Sequence, residues 1–388
     1  MTTRRRTKGE GSIIKTPNNK YRVRLDCGYI DGKRKQLSAT CDTLIAARAK
    51  LREFEKLKED TNVVAGITMS FKALIEDFLR YKAKRRDIKE TTYYNYTQMS
   101  HTFPKWFVEM KICEIDMSVL YKYVDEELSK GFKASTIKSR LIFINNILNH
   151  AVKVLELLPS SPMKESIKLP KDTEAIKSLD ILSEEEHKLL REALKERYED
   201  CIGKDTKSLT GFLYIAYMLT YELGLREGEV LGLRWSRIDF KEHTIVIDNQ
   251  KVYIPKKGIM DSSPKTASSN RLLVVSKGLI EILTKHKEYF GTESDYVFSK
   301  KNNKDVWHRN SLIASFKKAL LDVGITRKFT FHMLRHTNAT RLIERSGNNY
   351  KLVSERLGHS SVSTTFNYYT HAIKRQHQLA AELMDSTL

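Results

Sequence analysis

The stretch YELGLREGEVL (221–231) organises the last part of the chain. An apolar helix is predicted over 212–223, Gly224 ends it in a turn, and Arg226 begins the next helix. A helix N-terminus binds phosphate oxygens, and an arginine at that position adds a bidentate donor. The alternative is a helix-capping arginine that pairs with Glu229, and this stretch by itself favours that alternative.

A second stretch, FHMLRHT (331–337), places His332 and Arg335 three residues apart, so they share one face of a predicted helix. A histidine can accept a proton near neutral pH, and an arginine can hold a phosphate oxygen. A His-x-x-Arg pair arises often by chance, so it carries little weight by itself.

Two further stretches carry reactive side chains. His359 stands in LGHSS (357–361) and is followed by the tyrosines of TTFNYYTH (364–371). A phenol becomes a nucleophile toward phosphorus when a base or a cation favours its phenolate. Lys265, in PKTASSNR (264–271), leads into a predicted strand and could protonate a leaving oxygen; the alternative is an ordinary surface lysine.

The order Arg, Lys, His-x-x-Arg, His, Tyr within one region resembles the tyrosine recombinase family, the phage-type integrases. Within that family it resembles integrases of conjugative transposons and related integrative elements. The resemblance implies a multidomain chain with three parts. They are a small β-sheet plus helix arm-binding domain (1–66), an all-α core-binding domain (67–168), and a mixed α+β, mainly helical catalytic domain with a C-terminal tail (176–388).

The resemblance also implies the roles of the residues that would hold the scissile phosphate. Arg226 and Arg335 would neutralise it and stabilise the five-coordinate transition state. His359 would donate a hydrogen bond to a non-bridging oxygen. Glu229 would support the site from behind these residues.

By the same resemblance, His332 is the general base for the tyrosine and Lys265 the general acid for the 5′ hydroxyl. The tyrosine forms a 3′-phosphotyrosyl link that a 5′ hydroxyl from another strand resolves. The implied function is site-specific recombination that integrates and excises a mobile element. Because the link conserves bond energy, neither ATP nor a metal nor another cofactor is expected.

The nucleophile is one of two adjacent tyrosines. Nine residues between His359 and the nucleophile select Tyr369, whereas eight select Tyr368. Many members of the family have nine, and the Tyr-x-His ending Tyr369–His371 favours Tyr369. Tyr368 is then expected to serve in packing.

Composition supports a nucleic-acid partner. Lys and Arg total 68 against 48 Asp and Glu, a formal net charge of +20, which attracts a polyanion such as double-stranded DNA. The length predicts two or three domains, and the four scattered cysteines indicate reduced thiols. No apolar run is long enough to span a bilayer, and the basic first residues precede no apolar stretch. A cytoplasmic protein without membrane association is expected.

The basic residues are concentrated at the start of the chain, where residues 1–35 hold eleven Lys and Arg and three acids. In KYRVRL (20–25), basic and apolar residues alternate, which predicts a strand with one cationic face. A helix is predicted over 44–58. The alternative to DNA contact is a solvated strand. The predicted DNA contacts of this part are Arg4, Arg5, Arg6, Lys20, Arg22 and Arg24.

The middle of the chain is predicted to be helical, with helices over 71–84, 89–107, 118–130 and 134–155. Basic residues near the helix ends favour contact with DNA phosphates, and the alternative is a plain bundle with a wet basic surface. The predicted DNA contacts here are Arg85, Arg86, Lys133, Lys138 and Arg140.

The tail over 372–384 has apolar residues at helical spacing. Such a tail either packs on its own domain or, as in this family, docks on the next protomer. A tetramer on DNA with weak association off DNA is expected, and an excisionase-like accessory protein is a possible partner. Two other functions use similar residues: a sequence-specific DNA-binding regulator and a type IB topoisomerase-like nicking and resealing enzyme.

Overall fold

The computed structural model describes residues 11–30, 33–59, 69–170, 181–204, 206–263, 270–291, 294–300, 305–363 and 365–366. The chain divides into two compact units, Met1–Thr173 and Glu174–Leu388. The predicted tail over 372–384 lies outside the described residues. So do five predicted site residues, Arg4, Arg5, Arg6, Lys265 and Tyr369, and the alternative nucleophile Tyr368.

The first unit begins with a three-stranded antiparallel sheet of order β1-β2-β3. The strands are β1 (Ser12–Lys15), β2 (Tyr21–Ile30) and β3 (Lys33–Cys41), and helix α1 (Leu44–Glu59) follows them. The alternation predicted for β2 places Val23 and Leu25 in a small core, with Arg22 exposed on the other face. One face of this sheet is therefore apolar and packed, and the other is cationic.

Among the described residues of the same unit, five α-helices follow: α2 (Phe71–Arg85), α3 (Glu90–Ser100), α4 (Lys105–Glu109), α5 (Met117–Ser129) and α6 (Ala134–Lys153). The predicted single helix over 89–107 is wrong, because α3 ends at Ser100 and Pro104 begins α4 as its N-cap. Proline lacks the N–H that a continuing helix needs, so it belongs at a helix start. A buried core with many aromatic side chains joins these helices.

The hydrophobic core of the small sheet is separate from that of the five helices. This separation supports a division of the first unit near residue 67. The boundaries 1–66, 67–168 and 176–388 stay predictions.

The second unit is built around helix α8 (Leu209–Leu223), which is buried on nearly all sides. It packs against α7 (Glu184–Gly203) and three later helices, α10 (Lys277–Phe290), α11 (Arg309–Asp322) and α12 (Phe331–Arg345). A short helix, α9 (Glu227–Leu231), follows α8, and α13 (Tyr350–Leu357) follows α12. No helix among the described residues has both the length and the apolar composition to cross a bilayer.

The described part of the chain between α9 and α10 contains five strands. Strands β4 (Ile238–Asp239), β5 (Thr244–Ile247) and β8 (Arg271–Val274) form an antiparallel sheet of order β4-β5-β8. Strands β6 (Gln250–Ile254) and β7 (Gly258–Ser262) form a separate hairpin. The strand-forming residues over 244–252 are therefore divided between β5 of the sheet and β6 of the hairpin. The first unit contains a small sheet with one helix and then an all-α part, and the second unit is mixed α+β and mainly helical. This is the predicted fold class.

Gly224 ends α8 at φ +66°, where a side chain is strained. A methyl group built on it would lie 2.5 Å from Leu357 Cδ2 and 2.8 Å from Asn338 Oδ1. Gly324, in the same unit, also has positive φ, at +80°, but a methyl group there would meet no atom within 4 Å. The turn that carries the chain from α8 to α9 is therefore packed directly against α12 and α13.

We expect Gly224→Ala to destabilise the protein more than Gly324→Ala. Both substitutions incur the backbone cost of about 1–2 kcal/mol for a left-handed residue. Gly224→Ala adds the overlap with Leu357 and Asn338, about 1–3 kcal/mol more. Urea unfolding of the two variants measures the difference, and equal losses would contradict the packing described for Gly224.

Candidate active site

Arg226 stands at the N-cap of α9 and is tied to Glu229 three residues later. Its Nη1 donates to Glu229 Oε1 over 2.8 Å, and its backbone N–H donates to Glu229 Oε2 over 3.0 Å. The arginine side chain keeps 32% of its surface exposed, whereas that of Glu229 keeps 2%. Arg226 therefore pairs with Glu229, as the alternative interpretation of the sequence expected. Its side chain nevertheless stays partly exposed to solvent.

Arg271, the first residue of β8, also holds Glu229. Its Nη1 and Nη2 donate to the two carboxylate oxygens over 3.1 and 2.9 Å. Burial would raise the pKa of Glu229, but the hydrogen bonds and charges of Arg271 and Arg226 lower it to about 2. The sequence does not indicate that Arg271 belongs to the site, because nothing in its local pattern links it to α9.

The last carbonyl oxygens of α13 and its cap accept hydrogen bonds from three arginines. Arg271 Nε donates to Arg356 O over 2.8 Å, and Arg335 Nη2 donates to Leu357 O over 2.7 Å. Arg226 Nη2 donates to Gly358 O over 3.4 Å. We call these three consecutive carbonyls the α13 terminus. It brings both predicted phosphate-binding arginines to one place.

Arg335 lies on α12 and is 2% exposed. Besides its bond to the α13 terminus, its Nη1 donates to Gly224 O over 2.6 Å, at the end of α8. A guanidinium carries five N–H donors in a rigid plane, so bonds to two carbonyls fix its orientation before any ligand arrives.

His332 is on the same helix as Arg335 and is exposed to solvent. The protein around its ring still lowers its pKa, and Arg335 and Arg226 lower it further, while Glu227 opposes them. The His336 ring stands edge-on to that of His332 with centroids 5.0 Å apart. Burial, with His332 and Arg335 nearby, lowers the pKa of His336 to about 4. Both rings are therefore neutral at physiological pH.

His359 directly follows the α13 terminus. Its Nδ1 lies 2.8 Å from Oγ1 of the buried Thr365. Burial, followed by the charges of Arg335 and Arg226, lowers the pKa of His359 to about 4. A neutral imidazole whose Nδ1 accepts from a hydroxyl carries its proton on Nε2. Among the described residues, no three His, Cys, Asp or Glu side chains come together as metal ligands would.

The structure thus brings Arg226, Glu229, Arg335 and His359 together around the α13 terminus. Lys265, Tyr368 and Tyr369 lie outside the described residues. His336 and Thr365 were not predicted to belong here, and sequence offered only the weak signal that they neighbour predicted residues.

The predicted DNA-contact residues are mostly on the surface. Lys20 and Arg22 are exposed and Arg24 is half-buried, and these three line a shallow depression on the cationic face of the sheet. The helix-end residues Arg85, Arg86, Lys133 and Lys138 are exposed.

The predicted DNA contact of Arg140 is wrong. Its side chain is 9% exposed, forms an ion pair with the buried Glu127, and lies over the Phe132 ring at 4.2 Å. A guanidinium committed to a buried carboxylate is not available to a phosphate, so Arg140 serves packing within the helical part.

Comparison with known proteins places the chain in a family. Residues 181–376 match the profile of the phage integrase family. Over 319 residues the chain is 31% identical to a tyrosine recombinase XerC-like protein of Caldanaerobacter subterraneus subsp. tengcongensis, covering 76% of each protein. The chain belongs to the phage integrase family. The predicted family and the predicted class of enzyme, a tyrosine recombinase, are confirmed.

One other relative and one solved structure match a larger share of the chain. The ICEBs1 integrase of Bacillus subtilis is 26% identical over 97% of this chain and all of its own length. A solved structure of the Tn1549 transposon integrase in complex with a circular intermediate DNA has a TM-score of 0.65 and 17% identity. It covers 81% of this chain and all of that one. At this identity the structural likeness supports the fold.

We expect the stabilising effect of the Glu229 carboxylate in this phage integrase family member to depend on pH. Its folded-state pKa of about 2 lies below the unfolded value, so the ionised form stabilises the fold above about pH 4.5. That contribution, about 3 kcal/mol, is lost as the pH falls toward 2. The free energy of unfolding should therefore be higher for wild type than for Glu229→Gln, and the difference should be larger at pH 7 than at pH 3.

Urea unfolding at the two pH values measures this difference. Glu281→Gln is the matched control, because Glu281 is an exposed carboxylate on α10. It should leave the change between pH 7 and pH 3 as in wild type. A deficit of Glu229→Gln that is the same at both pH values would argue against an ionised Glu229 in the folded state.

Proposed function

We propose that the protein is a site-specific DNA recombinase that cleaves and rejoins DNA through a 3′-phosphotyrosyl intermediate, integrating and excising a mobile element. The observation that supports it most is the α13 terminus, where Arg226 and Arg335 meet beside His359. Two guanidiniums and a neutral imidazole at one point fit the oxygens of a phosphodiester.

In the proposed cleavage step, the Tyr369 phenol oxygen attacks the scissile phosphorus and the bond from phosphorus to the 5′ oxygen breaks. The phenolic proton passes to His332, and Lys265 gives a proton to the leaving 5′ oxygen. Arg226 and Arg335 offset the negative charge that builds on the non-bridging oxygens. Attack by a 5′ hydroxyl from another strand reverses these transfers and releases the tyrosine.

The histidine environment supports these roles. A base must be neutral before it accepts a proton, and the pKa of His332 is lowered by its surroundings. His359 is also neutral, and in the tautomer in which the Thr365 hydroxyl donates to Nδ1, its Nε2–H can donate to a phosphate oxygen. Because the phosphotyrosyl link keeps the energy of the phosphodiester, the proposed reaction uses no ATP.

The DNA surface proposed for this reaction has two parts. The cationic face of the small sheet, with Lys20, Arg22 and Arg24, would bind DNA away from the cleavage point, together with the basic arm before it. The helix-end residues of the helical part would hold phosphates near that point, and they are Arg85, Arg86, Lys133 and Lys138. Arg140 is not included. Two binding parts suit recombination, which must hold more than one kind of DNA site.

We further propose that four copies assemble on DNA, since strand exchange joins two duplexes and needs one active site for each cleaved strand. The tail over 372–384 would connect neighbouring copies. An excisionase-like accessory protein would set the direction of the reaction.

We expect wild type to form a denaturation-resistant adduct with a nicked suicide duplex carrying the end of its mobile element. Tyr369→Phe should abolish the adduct, because a phenyl ring has no oxygen to attack phosphorus. Tyr368→Phe is the matched control and should retain it. The adduct is measured by denaturing gel electrophoresis of labelled DNA.

The other outcomes are equally informative. Loss with Tyr368→Phe alone would keep the enzyme class and move the nucleophile by one residue. If wild type binds the duplex but forms no adduct, the proposal of a recombinase is wrong and a DNA-binding regulator replaces it.

We expect the cleavage rate to fall on the acidic side with a midpoint below about pH 6.5, the ordinary pKa of histidine. The cause is the lowered pKa of His332, which keeps the base neutral to lower pH. His332→Asn should lower the rate by about 10²–10⁴-fold and remove this acidic limb. Single-turnover rates from pH 5 to 8 measure both effects.

His243→Asn is the matched control. His243 lies in the turn between β4 and β5 with φ +52°, a conformation that asparagine tolerates. The control should keep the wild-type profile. An acidic limb that persists in His332→Asn would rule out His332 as the general base.

A further inference from the structure

Arg271, like Arg335, is a buried arginine of the α13 terminus. Its side chain is 6% exposed, and all three of its guanidinium nitrogens donate to named acceptors. Nη1 and Nη2 bind the two oxygens of Glu229, and Nε binds Arg356 O. All three of these nitrogens are thus committed to acceptors within the second unit.

The partner of Arg271 is also the partner of Arg226. Glu229 Oε1 accepts from Nη1 of both arginines, over 2.8 Å from Arg226 and 3.1 Å from Arg271. Glu229 Oε2 accepts from the backbone of Arg226 and from Nη2 of Arg271. Any shift of the Glu229 carboxylate therefore moves one of the two acceptors that hold the Arg226 guanidinium.

The other acceptor of that guanidinium, Gly358 O, belongs to the α13 terminus, to which Arg271 is also tied. Arg271 thus joins the carboxylate of α9 to the end of α13, on both sides of Arg226. We propose that Arg271 is a positioning residue for DNA cleavage, acting through Glu229 and Arg356 to fix the Arg226 guanidinium where the scissile phosphate binds. This inference rests on the proposed function.

Arginine is needed for this role because of its shape. Its planar fork presents three donors in fixed directions, two toward a carboxylate and one toward a carbonyl. Lysine keeps the positive charge but places one nitrogen at the end of a flexible chain, so it cannot satisfy these three acceptors together. Arg271→Lys therefore separates the geometry of the contact from its charge.

The test compares two substrates. On an ordinary phosphodiester, we expect Arg271→Lys to form the covalent adduct about 100-fold more slowly, the usual cost of a displacement of about 1 Å at a reacting centre. On a duplex with a neutral methylphosphonate at the cleavage point, the slowing should be largely lost. That substrate has no charged non-bridging oxygen for Arg226 to neutralise. Slowing by the same factor on both substrates, or no slowing, would overturn the inference.

Arg327→Lys is the matched control. Arg327 makes the same kind of contact elsewhere in the second unit, with both oxygens of Glu186 and with Ile181 O. It should lower the melting temperature to a similar extent without any dependence on the substrate. If Arg327→Lys also slowed cleavage more on the phosphodiester than on the methylphosphonate, the substrate dependence would report lost stability. That result would also overturn the inference.

A second measurement uses the double variant. If Arg271 acts only through Arg226, Arg226→Ala with Arg271→Lys should cleave no more slowly than Arg226→Ala. If the double variant were slower than Arg226→Ala by the same factor that Arg271→Lys causes in wild type, the inference would be overturned. Should Arg271→Lys fail to fold, Glu229→Gln at pH 7 interrupts the same route and should show the same substrate dependence. Wild type without any adduct would instead remove the proposed function, and this inference with it.

Discussion

The second unit depends on one constraint: the carbonyls at the end of α13 must be satisfied, and three arginines satisfy them. A helix leaves its last carbonyls without partners and carries partial negative charge at that end. Arg271, Arg335 and Arg226 donate to three consecutive carbonyls there. Those bonds, with the buried carboxylate of Glu229, offset the repulsion among three guanidiniums, which would otherwise keep such charges apart.

Burial, together with that concentration of positive charge, sets the protonation of the neighbouring histidines. Their burial and the nearby arginines lower the pKa of His336 and of His359 to about 4, and the pKa of His332 is lowered in the same way. Burial is the larger cause, and the charges that favour a phosphate add to it in keeping His332 neutral.

The scaffold explains how residues far apart in the chain reach this place. Helix α8 is buried on nearly all sides, and its end at Gly224 lies against Asn338 of α12 and Leu357 of α13. Asn338 Nδ2 donates to the carbonyls of Tyr221 and Glu222, which fastens α12 to the end of α8. Arg335 binds Gly224 O on the same side. The distance between the predicted arginines is thus set by close packing of α12 against the ends of α8 and α13.

Short-range patterns in the sequence determined the separate pieces. Alternation gave the two faces of β2, the glycine turn gave the boundary between α8 and α9, and the three-residue spacing gave the Arg226–Glu229 pair. These succeed because backbone geometry alone decides which nearby side chains share a face. Tertiary structure decided what depends on distant partners: that Arg271 holds Glu229, and that Arg140 is buried on Glu127. No local pattern encodes those pairs, since each forms only when separate elements pack together.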